Sequence, residues 1–263
     1  MSLPTIEVQT HELTLPSANV QVKYRPFLVK EEKVLLQALE NNDDKGINRA
    51  IKEIVHACTF GQIDGGKIPT FDLEYIFLNI RAKSIGEIAK VRLLCPDDKK
   101  TYGEAQIDLT KVEVEVDDNH TNKIMIDENR KLGIIMKYPT IDSADPSLNL
   151  QGQGTQKIFD MIGNCIHEIF DGETVHSASD YSKEDLHKFI GDLDKKTFDK
   201  INKFFNTMPQ LKHEVEIENP KTKVKSKIVL KGAQDFFVLP SLTIAYKIFI
   251  RQNLRLYIII NIL

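Results

Sequence analysis

The chain has 263 residues, of which 41% are apolar and 28% are charged, and its formal net charge is −3. This composition argues against a disordered chain and predicts a folded protein of one large domain or two small ones. The lack of a basic excess argues against a nucleic-acid-binding protein. The cysteines, Cys58, Cys95 and Cys165, are odd in number and far apart, which argues against a disulfide framework and fits a reducing compartment.

The N-terminal part of the chain predicts two strands followed by three helices. Apolar and polar residues alternate over 12–27 around a turn at Pro16–Asn19, as in a strand pair. Thr70 is the predicted N-cap of the third helix. Apolar residues at helical spacing place the helices at 29–41, 45–58 and 71–83.

After Gly86 the apolar period changes to two, which predicts β-ribbons. Residues 88–94 and 102–116 flank a turn at Cys95–Lys100 and predict an antiparallel hairpin with one solvated face. A second hairpin with the same organisation is predicted over 213–230. The similarity of these two segments suggests a structural repeat.

Two further short strands are predicted over Lys123–Asp127 and Gly133–Tyr138, and the region from Thr155 to the second ribbon is predicted to be helical. An apolar stripe predicts one helix from Thr155 to near Gly172, and a capping box at Ser182 and Asp185 begins another. A third helix is predicted over 196–208. The predicted fold class is therefore α+β, with helical segments and antiparallel β-hairpin ribbons arranged as two similar halves.

Prolines and glycines make residues 141–154 the best candidate for a linker. We therefore predict an N-terminal helix-and-ribbon domain over 1–140 and a C-terminal one over 155–237. Residues 238–263 form an atypical apolar tail with seven isoleucines and no Asp or Glu. The sequence predicts neither a signal peptide nor an ordinary transmembrane helix.

The reactive residue types do not form a recognisable catalytic or metal-binding motif. Cys95 resembles half of a zinc knuckle, but Asp97 and Asp98 occupy the region where a second cysteine should follow, and the second ribbon turn contains no cysteine. HExxH and GxSxG are missing, and the glycine-rich segment Gly61–Lys67 lacks the Ser or Thr of a P-loop. We therefore predict no catalytic, metal-binding or cofactor-binding residues and no cofactor.

Four lysines alternate along the second ribbon: Lys221, Lys223, Lys225 and Lys227. This spacing places them on one face of a strand, and the favoured interpretation is a solvated face that protects a sheet edge. The alternatives are an acidic protein surface or, least favoured because no aromatic residues interleave, nucleic acid.

Several segments occur in a familiar order over about residues 12–237: Leu13–Ser17, Val22–Lys33, Cys58–Gly61, Phe71–Leu78, Ile80–Glu87, Ile228–Gly232 and Asp235–Phe237. Together they resemble the baseplate hub subunit and hub-assembly family of T-even-type contractile-tailed phages, the myoviruses. The resemblance implies a late structural or chaperone-like assembly protein without enzyme activity. It implies partners among other baseplate and hub proteins, without nucleic acid or stable membrane insertion. It also implies a location in the host cytoplasm during assembly and in the tail baseplate of the virion.

Two short segments place cations and aromatic residues at the ends of predicted elements. They are Tyr24–Phe27 and Arg81–Ser84, and they are suited either to pin neighbouring elements together or to contact a partner. Intramolecular packing is the competing interpretation for both. The candidate partner contacts are Tyr24, Arg25, Phe27, Arg81, Lys83, Phe236 and Phe237.

The sequence departs from the family pattern in two respects. Some relatives carry paired cysteines at the ribbon turns, and they normally end in a polar, His-containing helical segment. Here the apolar tail stands instead, and we hypothesise that it arose from a shifted reading frame. Two alternative functions remain: a hub-associated cell-wall hydrolase, which would need an acidic pair or a zinc–histidine site, and a membrane-contacting module that uses the cationic apolar tail.

Overall fold

A computed structural model of the chain describes residues 7–40, 44–143 and 154–232. The chain divides into two compact units. The first contains the described residues up to Glu115 together with those from Gln210 onward, and the second contains those between Val116 and Pro209. Across the described residues there are six α-helices and eleven strands in antiparallel pairs, which confirms the α+β class.

The two units are not consecutive in sequence, because the second is inserted between two strands of the first. The linker predicted at 141–154 lies largely outside the described residues, and the tail predicted at 238–263 lies wholly outside them. The division into an N-terminal domain over 1–140 and a C-terminal domain over 155–237 stays a prediction.

The first unit begins with a hairpin of β1 (His11–Thr14) and β2 (Gln21–Tyr24). Its helices are α1 (Val29–Glu40), α2 (Asp44–Cys58) and α3 (Thr70–Ile85). Nine residues of α3 are buried and its apolar residues are spread around the whole helix, so α3 is the centre of this unit. The prediction that Thr70 caps α3 is wrong: Thr70 is its first residue, and Pro69 occupies the N-cap without a side-chain hydrogen bond.

The first unit also contains both ribbons. Strands β3 (Ile88–Leu94) and β4 (Tyr102–Asp108) form one hairpin. Strand β5 (Glu113–Glu115) pairs with β10 (Gln210–Glu218), which in turn pairs with β11 (Lys225–Lys231). The prediction of one strand over 102–116 is therefore wrong beyond Asp108. The Asp108 carboxylate accepts a hydrogen bond from the Thr110 N–H and starts a 3-10 turn, which redirects the chain towards β10.

The second unit is a four-stranded sheet with three helices. The strands are β6 (Lys123–Asp127), β7 (Leu132–Met136), β8 (Ile166–Asp171) and β9 (Thr174–Ser177), in that spatial order. The helices are α4 (Gly154–Cys165), α5 (Lys183–Gly191) and α6 (Lys195–Thr207). The capping box of Ser182 and Asp185 at the start of α5 is confirmed.

The prediction of one helix from Thr155 to near Gly172 is wrong after Cys165. Ile166, Ile169 and Phe170 are β-branched or aromatic residues that suit a strand, and they pair with β7. The Cys165 carbonyl accepts a hydrogen bond from the Lys137 N–H at 2.7 Å instead of a helical partner. Gly172, with φ of +64°, makes the turn into β9.

Candidate partner-binding surface at the end of helix α3

The two segments that the sequence singled out separately are in contact. The backbone N–H of Phe27 donates a hydrogen bond to the Ser84 Oγ at 2.9 Å, and that hydroxyl donates to the Ile80 carbonyl at 2.5 Å. This contact joins the connection between β2 and α1 to the last turn of α3. Long-range hydrogen bonds of this kind fix the position of a loop that would otherwise be held only at its ends.

Arg25 and Glu31 hold the start of α1 in place. Their side chains form a largely buried ion pair with Nη2 to Oε1 at 2.9 Å, and Arg25 Nη1 also donates to the Pro26 carbonyl. The second Glu31 oxygen accepts from the Leu28 N–H at 2.7 Å, which caps the helix. Burial alone would raise the pKa of Glu31, but the hydrogen bonds from Arg25 and Leu28 outweigh it and lower that pKa.

Tyr24 is only 2% exposed, and its ring centroid lies 5.5 Å from that of His11. Burial raises the pKa of its phenol, and the neighbouring Tyr75 and Glu87 raise it further. The contacts of Tyr24 and Arg25 in the chain are thus intramolecular. A role for either residue in partner binding stays a prediction.

Arg81 is also buried, with 6% of its surface exposed. Its Nη1 donates to the Gly86 carbonyl at 3.2 Å, whereas its enclosed Nε has no hydrogen-bond partner among the described residues. Burial lowers the pKa of the guanidinium. Lys83, by contrast, is exposed and forms an ion pair with Glu87 one helical turn further on.

Apolar side chains are exposed around this junction. Leu28 and Val29 directly follow Phe27, and Ile85 directly follows Ser84, with exposed fractions of 36%, 80% and 51%. We call the following residues the α3-end surface, in which Arg81 is buried, Phe27 is half-buried and the others are exposed: Phe27, Leu28, Val29, Arg81, Lys83 and Ile85. The predicted contacts Phe236 and Phe237 lie outside the described residues. The arrangement offers apolar contact area beside a cation on a backbone fixed by hydrogen bonds.

Comparison with known families identifies the class of protein. A family model described as T4 bacteriophage base plate protein matches residues 8–238. The chain belongs to this baseplate family. Searches of curated proteins and of solved structures each found no match. The predicted T4-type baseplate family is thereby confirmed, and membership implies association with other phage baseplate proteins in the virion tail.

The two ribbon turns of this baseplate protein are joined by hydrogen bonds. Asp97 accepts from the Asn219 side chain, whose Nδ2 lies 2.9 and 3.0 Å from the two carboxylate oxygens, and from the Thr222 hydroxyl at 2.5 Å. The hydrogen bonds from Thr222 and Asn219 lower the pKa of Asp97. Cys95 is buried beside this contact. Among the residues that the structure describes, no group of three or more His, Cys, Asp or Glu side chains is placed to hold a metal ion.

The lysines of the second ribbon form a ladder of ion pairs. Their partners are glutamates of β10, which occupy every second position of that strand from Glu214 to Glu218. This alternation of glutamates can be seen in the sequence, but sequence reasoning overlooked it. The pairs are Lys223–Glu218, Lys225–Glu216 and Lys227–Glu214, at 3.7, 3.4 and 2.6 Å. Opposite charges on the same ribbon therefore balance three of the four lysines. This favours the predicted solvated face over a surface for nucleic acid. The prediction that all four lie on one face of a strand is wrong, because β11 begins at Lys225 and Lys221 and Lys223 precede it.

The apolar part of the α3-end surface was missed by sequence reasoning. Leu28, Val29 and Ile85 of this baseplate protein are ordinary apolar residues at element ends, where the default expectation is packing into the core. Their exposed fractions in the structure show that they point outward. No helix in the described ranges is long and apolar enough to cross a membrane.

Proposed function

We propose that this baseplate protein is a structural or chaperone-like assembly protein of the baseplate hub and acts through protein–protein contacts rather than catalysis. The assignment to the hub is supported by the ordered segments between Leu13 and Phe237 that resemble the hub family. The family match over residues 8–238 supports the coarser assignment to the baseplate. The protein would be made and assembled in the host cytoplasm.

The exposed α3-end surface is the observation that carries the proposed mode of action. Val29 and Ile85 expose most of their side chains, while the backbone beneath them is fixed by the contact between Phe27 and Ser84. Apolar side chains on a rigid frame lose little conformational entropy when a partner covers them. The surface is therefore suited to a stable subunit contact.

The cysteines support a role without covalent catalysis. Burial raises the pKa of Cys58 to about 11 and that of Cys165 to about 12, so both thiols are protonated at neutral pH. A nucleophilic cysteine needs the opposite shift.

Purification of partners from infected cells tests the proposal. Tagged wild-type protein, a Val29→Asp/Ile85→Asp variant and a Val175→Asp control would be recovered, and the bound proteins and the purified particles analysed by mass spectrometry. Val175 is 60% exposed and lies on β9 in the other unit, so it controls for a new surface charge. We expect hub proteins to accompany the wild type and the control but not the double variant.

The outcomes separate the two parts of the proposal. Recovery of no hub protein with the wild type would refute the hub function itself. Equal recovery with the double variant would show that hub proteins bind elsewhere on the chain.

A further inference from the structure

Arg81 is a buried cation for which the described part of the chain supplies no acidic partner. Among the described residues, no carboxylate forms an ion pair with it, whereas the nearby exposed Lys83 pairs with Glu87. Burial is the cause of its lowered pKa. A guanidinium removed from water is costly unless a carboxylate or several acceptors compensate it.

Stabilisation of the helix end explains only part of this arrangement. Arg81 lies in the last turns of α3, where a cation interacts favourably with the carbonyl end of the helix, and its Nη1 donates to the Gly86 carbonyl. A guanidinium has five N–H donors in a planar fork, and this fork matches the two oxygens of a carboxylate. The enclosed Nε remains without an acceptor in the part of the chain that the structure describes.

Gly86, whose carbonyl accepts the hydrogen bond from Arg81, borders open space. Gly86 is exposed, and a Cβ placed on it would meet no atom within 4 Å. Its φ of +142° favours glycine, so the absence of a side chain beside the guanidinium follows from the backbone. Exposed Leu28, Val29 and Ile85 belong to the same junction.

We propose that Arg81 binds the carboxylate of an Asp or Glu side chain of another baseplate protein, carried on an apolar segment that covers Leu28, Val29 and Ile85. The inference rests on the proposed function and adds the chemistry of the partner to it. Charge complementarity selects the acidic residue, and the apolar rim excludes water from the pair. A charge-assisted, bidentate bond of this kind gives both strength and orientation.

Two variants separate binding from folding. Arg81→Met keeps the apolar stem and removes the uncompensated charge. In thermal unfolding of the isolated full chain we therefore expect an unchanged or higher midpoint temperature. In the purification from infected cells the same variant should recover at least about tenfold less hub protein, because the partner carboxylate would be left buried and unpaired.

Arg81→Lys allows the carboxylate to be located directly. The variant keeps the charge and introduces an amine. A carbodiimide activates an adjacent carboxylate, the amine displaces the activating group to form an amide, and the carbodiimide leaves as a urea that carries the elements of water. In complexes recovered with this variant we expect an amide between position 81 and an Asp or Glu of a hub protein, identified by mass spectrometry. Lys83 is present in both the wild type and the Arg81→Lys variant, so cross-links from Lys83 serve as an internal reference for the coupling reaction.

The contrary results are distinct from those that test the proposed function. If wild-type protein recovers hub proteins and Arg81→Met recovers them equally well, the inference is wrong while the hub function stands. A clear fall in the midpoint temperature of Arg81→Met would show that Arg81 has a folding role instead. Cross-links from position 81 only to carboxylates of the same chain would also overturn the inference.

Discussion

Asp97 and Asn219 are separated by 122 positions in the sequence, and their side chains are hydrogen bonded at 2.9 Å. The bond joins the turn of the β3–β4 ribbon to that of the β10–β11 ribbon. Close packing continues behind the turns, where a Cβ placed on Gly103 would lie 3.0 Å from the Glu218 carbonyl oxygen. The two ribbons are thus held at their turns by polar contacts and along their strands by close backbone approach.

Asn219→Ala should therefore destabilise the first unit. Asn219 is only 1% exposed, and its Oδ1 also accepts from the N–H groups of Lys221 and Thr222. Loss of these bonds should lower the free energy of unfolding by about 2 kcal/mol, measured by urea denaturation. Glu104→Gln, on the exposed face of the β3–β4 ribbon, is the control and should change it little. Equal stability of the two variants would mean that the contact between the turns contributes nothing.

Gly133→Ala should disrupt the sheet of the second unit. A Cβ at this position would lie 2.4 Å from the Phe170 ring and 2.7 Å from the Ile124 carbonyl oxygen. The expected loss is about 2 kcal/mol in the free energy of unfolding. Gly163→Ala is the matched control, because its Cβ would find ordinary contacts and a helix favours alanine over glycine by about 1 kcal/mol. A stabilising effect of Gly133→Ala would contradict the close approach of Phe170.

The ion pair of Arg25 and Glu31 should make stability depend on acid pH. The folded state lowers the pKa of Glu31 below its ordinary value of 4.5, so the stabilisation is fully present above that pH. It is lost as the pH falls through the lowered pKa. Glu31→Gln should cost about 2 kcal/mol at pH 7, and the difference from wild type should shrink in urea titrations below pH 4.5. A constant difference at all pH values would argue against the pair.

Asp72 should behave in the opposite way. It is fully buried, its carboxylate accepts hydrogen bonds from the backbone and side chain of Ser17, and burial raises its pKa above 3.8. The folded state therefore holds this proton more tightly, and stability falls as the pH rises from 3.8 through the raised pKa. Asp72→Asn, an uncharged isostere, should be at least as stable as wild type at pH 7 in urea denaturation. The greater stability of Asp72→Asn should disappear at acid pH, where the wild-type carboxyl is protonated. If Asp72→Asn is less stable than wild type at pH 7, the raised pKa of Asp72 does not limit stability.

Local signals in the sequence were sufficient for much of the fold. The capping box of Ser182 and Asp185 depends on neighbouring residues only, and α5 begins directly after Ser182 as predicted. The helix predicted over 196–208 is α6, which begins and ends one residue earlier. Strand β8 was missed because Ile162, Ile166 and Ile169 satisfy helical spacing as well as they suit a strand. Periodicity cannot distinguish these cases over a short apolar run.

The α3-end surface was only partly predictable. The sequence pointed to Phe27 and Arg81 because aromatic and cationic residues stand at element ends, but it could not show that residues 27 and 84 meet. Contacts over such separations depend on tertiary packing. The outward position of Val29 depends on tertiary packing in the same way. So does the lack of a carboxylate partner for Arg81 among the described residues.

The pairing of Glu115 with Gln210 has a consequence for the architecture. These residues are direct partners in the β5–β10 ladder, and the chain leaves the first unit after one and re-enters it at the other. Both ends of the intervening 94 residues thus start from neighbouring points on one sheet. A tight reverse turn between β5 and β10 could replace the inserted segment and leave the β5–β10 pairing intact. The second unit is therefore exchangeable for a short turn without a change in the strand order of the first unit.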